Sequence, residues 1–495
     1  MPSKLSNSSR KNIAFSAGIS LGLMGFISLI SGVANYPTPA GERIVLTFVI
    51  GGCIALAASV YFLKLVGAPH VARASDVFSI TVACLLSFIA LNSVLYLIAG
   101  VVGTLDAAIW ESTAGITTTA ASGLIPETLP SSVHIFRSLT QWLGGLGALC
   151  LVFVALPLSR KNAIDKDEAS SGYSTEIFSR SPQQRIQELS TIYVAISTVF
   201  FFAYLLSGMG VFDAICHSMT TASTGGFSTK SASLGFYGSS AIEWVATFGM
   251  LFGGLNLGIY WWMWNRKFDE IRKNTELRFH LLIVLLAVAA FWSQFDWEIA
   301  NLKDAAFVAT SFSSTTGFTT GSWNFAPFMV AVAILLMAAG AMAGSPGGGY
   351  GAHRVIELVQ YQRRETTRMH HPSAERKPKL SGHTLSDRNL EKLHGFTAAF
   401  VLLVGIGAFF LSVASQEMTF QEAVSLSLSS LVTNGPGLTE TSSPLIEYNV
   451  VTHMTLSTLM VMGRLAIFPV AYVVLFGFTN LRMNLRGLLP IRGDE

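Results

Sequence analysis

The sequence predicts an all-α polytopic membrane protein in which four similar membrane units follow two N-terminal helices, about ten spans in all. Three observations predict it. The 495 residues are 51% hydrophobic and only 12% charged, with a mean hydropathy of +0.51, whereas soluble chains are usually about a quarter charged. Apolar runs long enough to cross a hydrocarbon layer of roughly 30 Å fall at 13–34, 43–67, 78–103, 135–158, 188–210, 241–264, 279–295, 326–352, 394–415 and 449–478. A short Ser/Thr/Gly segment also occurs four times, each time behind a short apolar run and ahead of a long one.

Taken in order, residues 1–77 form a two-helix extension. The polar stretch Met1 to Lys11 leads into an apolar run without a small-residue cleavage pattern, which reads as a retained first helix. From residue 78 the pattern is span, half-span, polar loop, span, repeated over 78–187, 188–278, 279–393 and 394–495. The half-spans near 106–116, 212–222, 303–313 and 420–431 are too short to cross. Each carries an acidic residue followed by alanine: Asp106-Ala107, Asp213-Ala214, Asp304-Ala305 and Glu422-Ala423. The intervals Asp213 to Gly226, Asp304 to Gly317 and Glu422 to Gly435 are identical. The polar loops themselves are Ile116-Thr117-Thr118-Thr119-Ala120, Ala222 to Phe227, Ser314 to Phe318 and Leu431 to Pro436.

Backbone carbonyls freed from a helix at membrane depth must be buried in protein or line a watery path. Four such loops around one axis make a ring of oxygens able to replace the hydration shell of a cation, with the glycines supplying left-handed or extended angles. Four ordinary turns rich in small residues are the plainer alternative.

Lysine and arginine crowd into Lys4 to Lys11, Arg160 to Arg185, Arg266 to Arg278, Arg354 to Lys392 and Arg482 to Arg492, while the opposite side has Arg43, Lys230 and Lys303, with Arg137 at a boundary. The excess marks the cytoplasmic side, which places both termini inside and the four loops outward. The outer side carries Asp106, Glu111, Glu127, Asp213, Asp296, Glu298, Asp304, Glu417, Glu422, Glu440 and Glu447, a bias that concentrates cations. The cysteines Cys53, Cys84, Cys150 and Cys216 lack ligand-like spacing and read as free thiols.

The long span of each unit has small residues at its middle: Gly144-Gly145-Leu146-Gly147, Gly253-Gly254-Leu255-Asn256, Gly344 to Gly349, and Gly463-Arg464. Close helix packing explains the first two. The third, with Gly340, Gly344, Ser345, Pro346, Gly347, Gly348 and Gly349, holds too many helix breakers to be regular, and reads as a break at membrane depth and a candidate gate. Arg464, the one basic residue deep in a span, costs about 2.5 to 3.5 kcal/mol there unless it meets water or a partner. It is either a charge barrier in the path or a structural residue bonded to helix-end carbonyls.

The segments Arg137 to Gly147, Leu251 to Asn256, Gly344 to Gly349 and Asn434-Gly435-Pro436-Gly437-Leu438 resemble those of the TrkH potassium-uptake subunits of bacteria, in the superfamily that also holds KtrB and plant HKT proteins. The resemblance runs from the first spans to the tail. It implies four membrane-pore loop-membrane repeats around one pore, a homodimer in the bacterial cytoplasmic membrane, and a cytosolic TrkA-like ring that binds nucleotide and controls opening. It implies no enzyme activity, no covalently bound cofactor and no nucleic acid, with potassium as substrate, nucleotide only on the partner, and lipid around the protein. The ion filter it implies is Thr118, Thr119, Ala120; Thr224, Gly225, Gly226; Thr315, Thr316, Gly317; and Thr433, Asn434, Gly435, with 340–349 and Arg464 as gate.

Family members usually carry glycine after the first threonine run. Counting from Glu111 and Gly115 puts Ala120 there, and counting from Asp106 puts Thr119 there. Serine at this place accompanies sodium conduction in plant relatives. An L-residue forced into the left-handed region costs about 1 to 2 kcal/mol, so Ala120 is expected to turn its carbonyl away or to narrow the ring with its methyl group. A poorly selective potassium/sodium channel and a sodium- or proton-coupled symporter are the rival readings. The symporter is disfavoured because the spans look nearly empty of carboxylates. An intramembrane enzyme lacks its groups, since His217, His453 and His370-His371 have no partners in the sequence pattern.

Overall fold

The structure, a computed structural model, describes residues 7–34, 42–67, 74–155, 181–294, 297–321, 325–371, 379–380, 383–384, 387–415, 418–435 and 449–465. The basic segments 156–180 and 466–495, the loop 436–448, and Lys4, Asp296, Glu417, Glu440 and Glu447 lie outside the described residues. Apart from a two-residue antiparallel pairing of Lys379–Leu380 with His383–Thr384, the described regular structure is helical.

Helices α1 (Asn7–Val33) and α2 (Glu42–Val66) pack on each other, and α1 also lies against α3 (Ala74–Ala99). Small polar residues join them, as an apolar solvent favours: Ser16 and Ser20 donate to the Ile80 and Cys84 carbonyls at 3.1 and 2.8 Å. Ser59 donates to that of Gly18 at 2.7 Å.

Four short helices, each too short to cross a membrane, recur along the chain: α4 (Leu105–Ile116), α7 (Val211–Ala222), α12 (Leu302–Ser313) and α16 (Phe420–Leu431), each of 12 residues. Their shared acidic residue falls in the first turn, where a carboxylate offsets the positive helix end. At α16, Glu422 and Thr419 bond each other's backbone N–H in a capping box. The alanine that follows, at 107, 214, 305 and 423, is buried in all four, so the helices approach their neighbours closely. The repeated acidic-Ala pair is thus accounted for by capping and packing.

Each short helix sits between an outer helix and a returning one. The outer helices are α3, α6 (Pro182–Leu206), α11 (Thr275–Ser293) and α15 (Asp387–Ala414). The returning ones are α5 (Ser131–Cys150, running into a π turn at Leu151–Ala155), α8 (Ser240–Gly253), α13 (Pro327–Ala339) and α17 (Val450–Arg464). Every returning helix also packs on the next short helix: α5 on α7, α8 on α12, α13 on α16, and α17 back on α4. The four units therefore close into a ring.

The returning helices depart from the sequence expectation. The run 241–264 is not one straight span: α8 is followed by α9 (Leu257–Trp264) at 92°. Asn256 caps α9 by accepting the Gly258 N–H at 2.7 Å, so the bend is a cap and not a distorted helix. A short helix, α10 (Phe268–Lys273), leads on to α11. The run 326–352 is a 13-residue helix that stops at Ala339, before helix α14 (Ala352–His370) begins. Among the described residues seven helices are long and apolar enough to cross a membrane, eight with the bent pair. The helix expected over 449–478 is described as far as Arg464.

Candidate functional site

The four short helices end in one and the same way. Two residues past each end stands a threonine in the left-handed region, Thr118, Thr224, Thr315 and Thr433, with φ of 56°, 50°, 55° and 55°. Its N–H returns to the carbonyl three residues back, and the next N–H returns to the one five back: Thr119 to Ala114 at 2.8 Å, Gly225 to Thr220 at 2.7 Å, Thr316 to Ser311 at 3.1 Å and Asn434 to Ser429 at 2.9 Å. This is the double bond of a Schellman end, whose left-handed place normally belongs to glycine. A β-branched residue there costs about 1 to 2 kcal/mol, and four in register are a feature that only tertiary structure can hold.

The glycines come two residues later. Gly226, Gly317 and Gly435 have φ of 76°, 78° and 117°, and the residue in their place in the first unit is Ala120, which does not enter the left-handed region. The register counted from Asp106 fails because Asp106 is the second residue of its helix whereas its counterparts are third. The expected strain on Ala120 is corrected likewise: strain lies on the threonines. Ala120 instead donates its N–H to the Asn434 carbonyl at 3.4 Å and lays its methyl group against the other turns. A Cβ built on Gly226 would stand 2.7 Å from that methyl, and one on Gly435 would stand 2.5 Å from the Ala120 Cα. A Cβ on Gly226 would also overlap the Thr316 carbonyl oxygen. The first turn thus touches the second and fourth, and the second touches the third; apart from half-buried Ala120, their residues are buried. The hydroxyls of Thr118 and Thr433 and the amide of Asn434 have no hydrogen-bond partner among the described residues, as suits groups facing an ion or water path.

The glycine pairs of the returning chains press on these turns. In each pair the first residue backs the unit's own turn and the second the next unit's: Gly144 against Ile116 and Gly145 against Ser223, Gly253 against Thr221 and Thr224 and Gly254 against Ser314, Gly347 against Ser314 and Gly348 against Val432. In the fourth unit Gly463 backs Leu431, and Arg464 takes the second place.

The break after α13 runs from Gly340 to Gly351 beneath the turns. Gly348 donates its N–H to the Thr315 hydroxyl at 2.7 Å, and a Cβ there would overlap the Val432 carbonyl. Gly340 and Gly349 have φ of 68° and 100° and touch back to back, since a Cβ on Gly340 would stand 2.5 Å from the Gly349 Cα. The loop is tied to the bend between α8 and α9 by Met342 N–H to the Gly254 carbonyl at 3.0 Å and Leu257 N–H to that of Gly344 at 2.9 Å. Ser345 bonds the Met342 carbonyl at 2.7 Å, and Glu276 accepts the Ala343 N–H at 2.7 Å. Arg464 donates to the Pro346 carbonyl at 2.6 Å and to the Gly144 carbonyl at 3.1 Å. It clasps the loop to the first unit.

Around the turns several carboxylates have partners. Glu111 is buried against Arg137 at 2.8 Å, with Ser122 donating to both Glu111 oxygens. Arg137, buried, lies over the Phe227 ring at 4.2 Å. Asp106 bonds His453 Nδ1 at 2.7 Å, so His453 has a partner, and its ring stacks on Trp110. Lys303 pairs with Glu243 and Asp304. At the outer surface Ser231 donates to Glu127, holding that carboxyl below the usual carboxylate range.

A model of the TrkH family, described as cation transport protein, matches residues 41–296 and 298–477. The chain belongs to the TrkH family. Its curated relatives include the Trk system potassium uptake protein TrkH of Salmonella typhimurium, 30% identical over 75% of this chain and 79% of that protein. The TrkH of Halomonas elongata is 30% identical over 74% and 78%. The fold matches the crystal structure of the potassium transporter TrkH from Vibrio parahaemolyticus with a TM-score of 0.83 and 26% identity, over 94% of this chain and 98% of that one. The chain is accordingly a multi-pass membrane protein of a transporter family. The residue that sequence reading passed over is Gln141. It was in view within the segment from Arg137 to Gly147, but no local pattern assigns a glutamine in a helix to a turn in another unit.

Proposed function

We propose that this chain carries potassium into the cell across the bacterial cytoplasmic membrane, through a pore whose selectivity filter is the four threonine turns. The filter comprises Thr118 to Ala120, Thr224 to Gly226, Thr315 to Gly317 and Thr433 to Gly435. The observation that carries this reading is the closed ring of four identical strained helix ends, since strain repeated at one place four times has no packing purpose that glycine would not serve better. Carbonyl oxygens around one axis suit a dehydrated monovalent cation.

In this reading the 340–351 loop is the gate and Arg464 its latch, each of the four units from residue 78 is one pore repeat, and both termini lie in the cytoplasm. A homodimer whose cytoplasmic segments, chiefly 354–392, receive a TrkA-like nucleotide-binding ring completes the assembly. Ala120 favours a filter that admits sodium more readily than one with four glycines. The test is cation flux into vesicles holding the purified protein, with and without a nucleotide-binding partner, under opposed potassium and sodium gradients. Potassium flux that sets the reversal potential is the expected result. Absence of flux in every condition, or a reversal potential that follows a coupled sodium or proton gradient, overturns the reading.

A further inference from the structure

The position after the left-handed threonine is Thr119, Gly225, Thr316 and Asn434 in the four units, and only the second lacks a side chain. Gly225 is not in the left-handed region, so its backbone conformation does not require glycine. Space does: a Cβ there would overlap Oε1 of Gln141 and stand 2.5 Å from its Cδ. Gln141, wholly buried on α5, fills the place from the neighbouring unit. Its Nε2 donates to the Gly225 carbonyl at 2.6 Å and to the Thr119 carbonyl at 3.3 Å. Its Oε1 accepts the Phe227 N–H at 3.1 Å.

In the first and third units the side chain at this position braces its own turn, Thr119 Oγ1 meeting Thr117 Oγ1 at 2.8 Å and Thr316 Oγ1 meeting Ser314 Oγ1 at 2.7 Å. The second turn has no such brace of its own. We propose that Gln141 is the positioning residue that replaces it in trans, setting the separation and direction of the Thr119 and Gly225 carbonyls and hence the discrimination between potassium and sodium. Arg137, one helical turn earlier, stacks on Phe227, whose N–H Gln141 accepts. A carbonyl ring selects by the number and placement of its oxygens, so two of them fixed by one amide make that amide a selectivity element although it touches no ion. The inference rests on the filter reading above.

The experiment measures reversal potentials in vesicles for wild type, Gln141→Ala, Gly225→Ser and the double variant, with total flux and folded yield recorded beside them. Gln141→Ala is expected to move the sodium-to-potassium permeability ratio about tenfold towards sodium, the worth of one lost hydrogen bond of ordinary strength. Gly225→Ser alone, forced against Gln141, is expected to lose flux. The double variant, in which a serine brace replaces the absent amide, is expected to recover both. A permeability ratio unchanged in a conducting Gln141→Ala overturns the inference while leaving the filter reading intact, and so does a double variant no better than the worse single one. Should Gln141→Ala fail to fold, Gln141→Met, close in volume and without a donor for the two carbonyls, serves in its place, and an unchanged ratio there is equally fatal. Wild type that passes no potassium would overturn the filter reading itself.

Discussion

The four short helices that enter the membrane are alike to the residue in length and ending, whereas the four chains that return from them are all different. One continues into a π turn at Leu151, one bends by 92° after Gly253, one stops at Ala339 and becomes a loop, and one carries Arg464. The proposed filter accounts for the contrast: oxygens that share an ion are held at matched distances from it, which would leave little freedom to the helices that present them. The returning chains back the turns with glycine and diverge beyond them into bend, loop and the Arg464 clasp.

The surest way to break the comparison is to add an atom to the uniform half. Gly226→Ala and Gly435→Ser each place a side chain into another turn, an overpacking worth about 3 kcal/mol, and rubidium uptake should fall by about a hundredfold or more at equal membrane abundance. Uptake within a factor of two of wild type would mean that the turns do not share one path.

Acting on the divergent half should have the opposite sign. Arg464→Ala removes two charge-assisted bonds, to Pro346 and Gly144, and basal flux without partner should rise about tenfold or more. A deletion within 345–348 should raise it too, and the two together should fall short of the product because both act on one closed state. Lower flux in both, with normal folding, would make the loop a scaffold and not a gate.

Ala120→Gly sharpens the comparison by making the four turns uniform. Because Ala120 is not itself strained, the gain is limited to removing its methyl from Gly226 and Gly435. Preference for potassium should improve by only about threefold, well under the effect of one hydrogen bond. Reversal potentials decide it, and a ratio that moves towards sodium would show that the methyl group tightens the ring usefully.

The smallest effect is expected where α17 meets α4. His453→Gln weakens the tie between the buried His453 of the fourth unit and the half-buried Asp106 of the first, and the melting temperature in detergent should drop by the worth of one hydrogen bond, about 1 kcal/mol. The permeability ratio should not change. If it does, the Asp106–His453 contact belongs to the selective machinery.

Read without coordinates, the chain declares its membrane character, its two leading helices, the four short helices with their bounds, and the break at 340–349, because each rests on a local property: hydropathy, length, or an excess of helix breakers. The glycine pairs were legible as well, as packing residues. The Schellman ends were not, since a threonine carries no local signal for a left-handed angle and adopts one only where the rest of the protein compels it. The register at Ala120 was legible from Glu111 and Gly115 but not from Asp106, which is displaced by one in α4.

What tertiary structure alone decided is which parts meet. The closure of α17 onto α4, the burial of Glu111 with Arg137, the clasp of Arg464 on Pro346 and Gly144, and the reach of Gln141 into the turn at Gly225 all join residues distant in the chain. The sequence by itself determined the fourfold unit and its polar turns, since periodicity and hydropathy are written along the backbone. The ring, its braces and its latch depend on side chains crossing from one unit to the next, and contacts of that kind exist only once the four units have closed around a common axis.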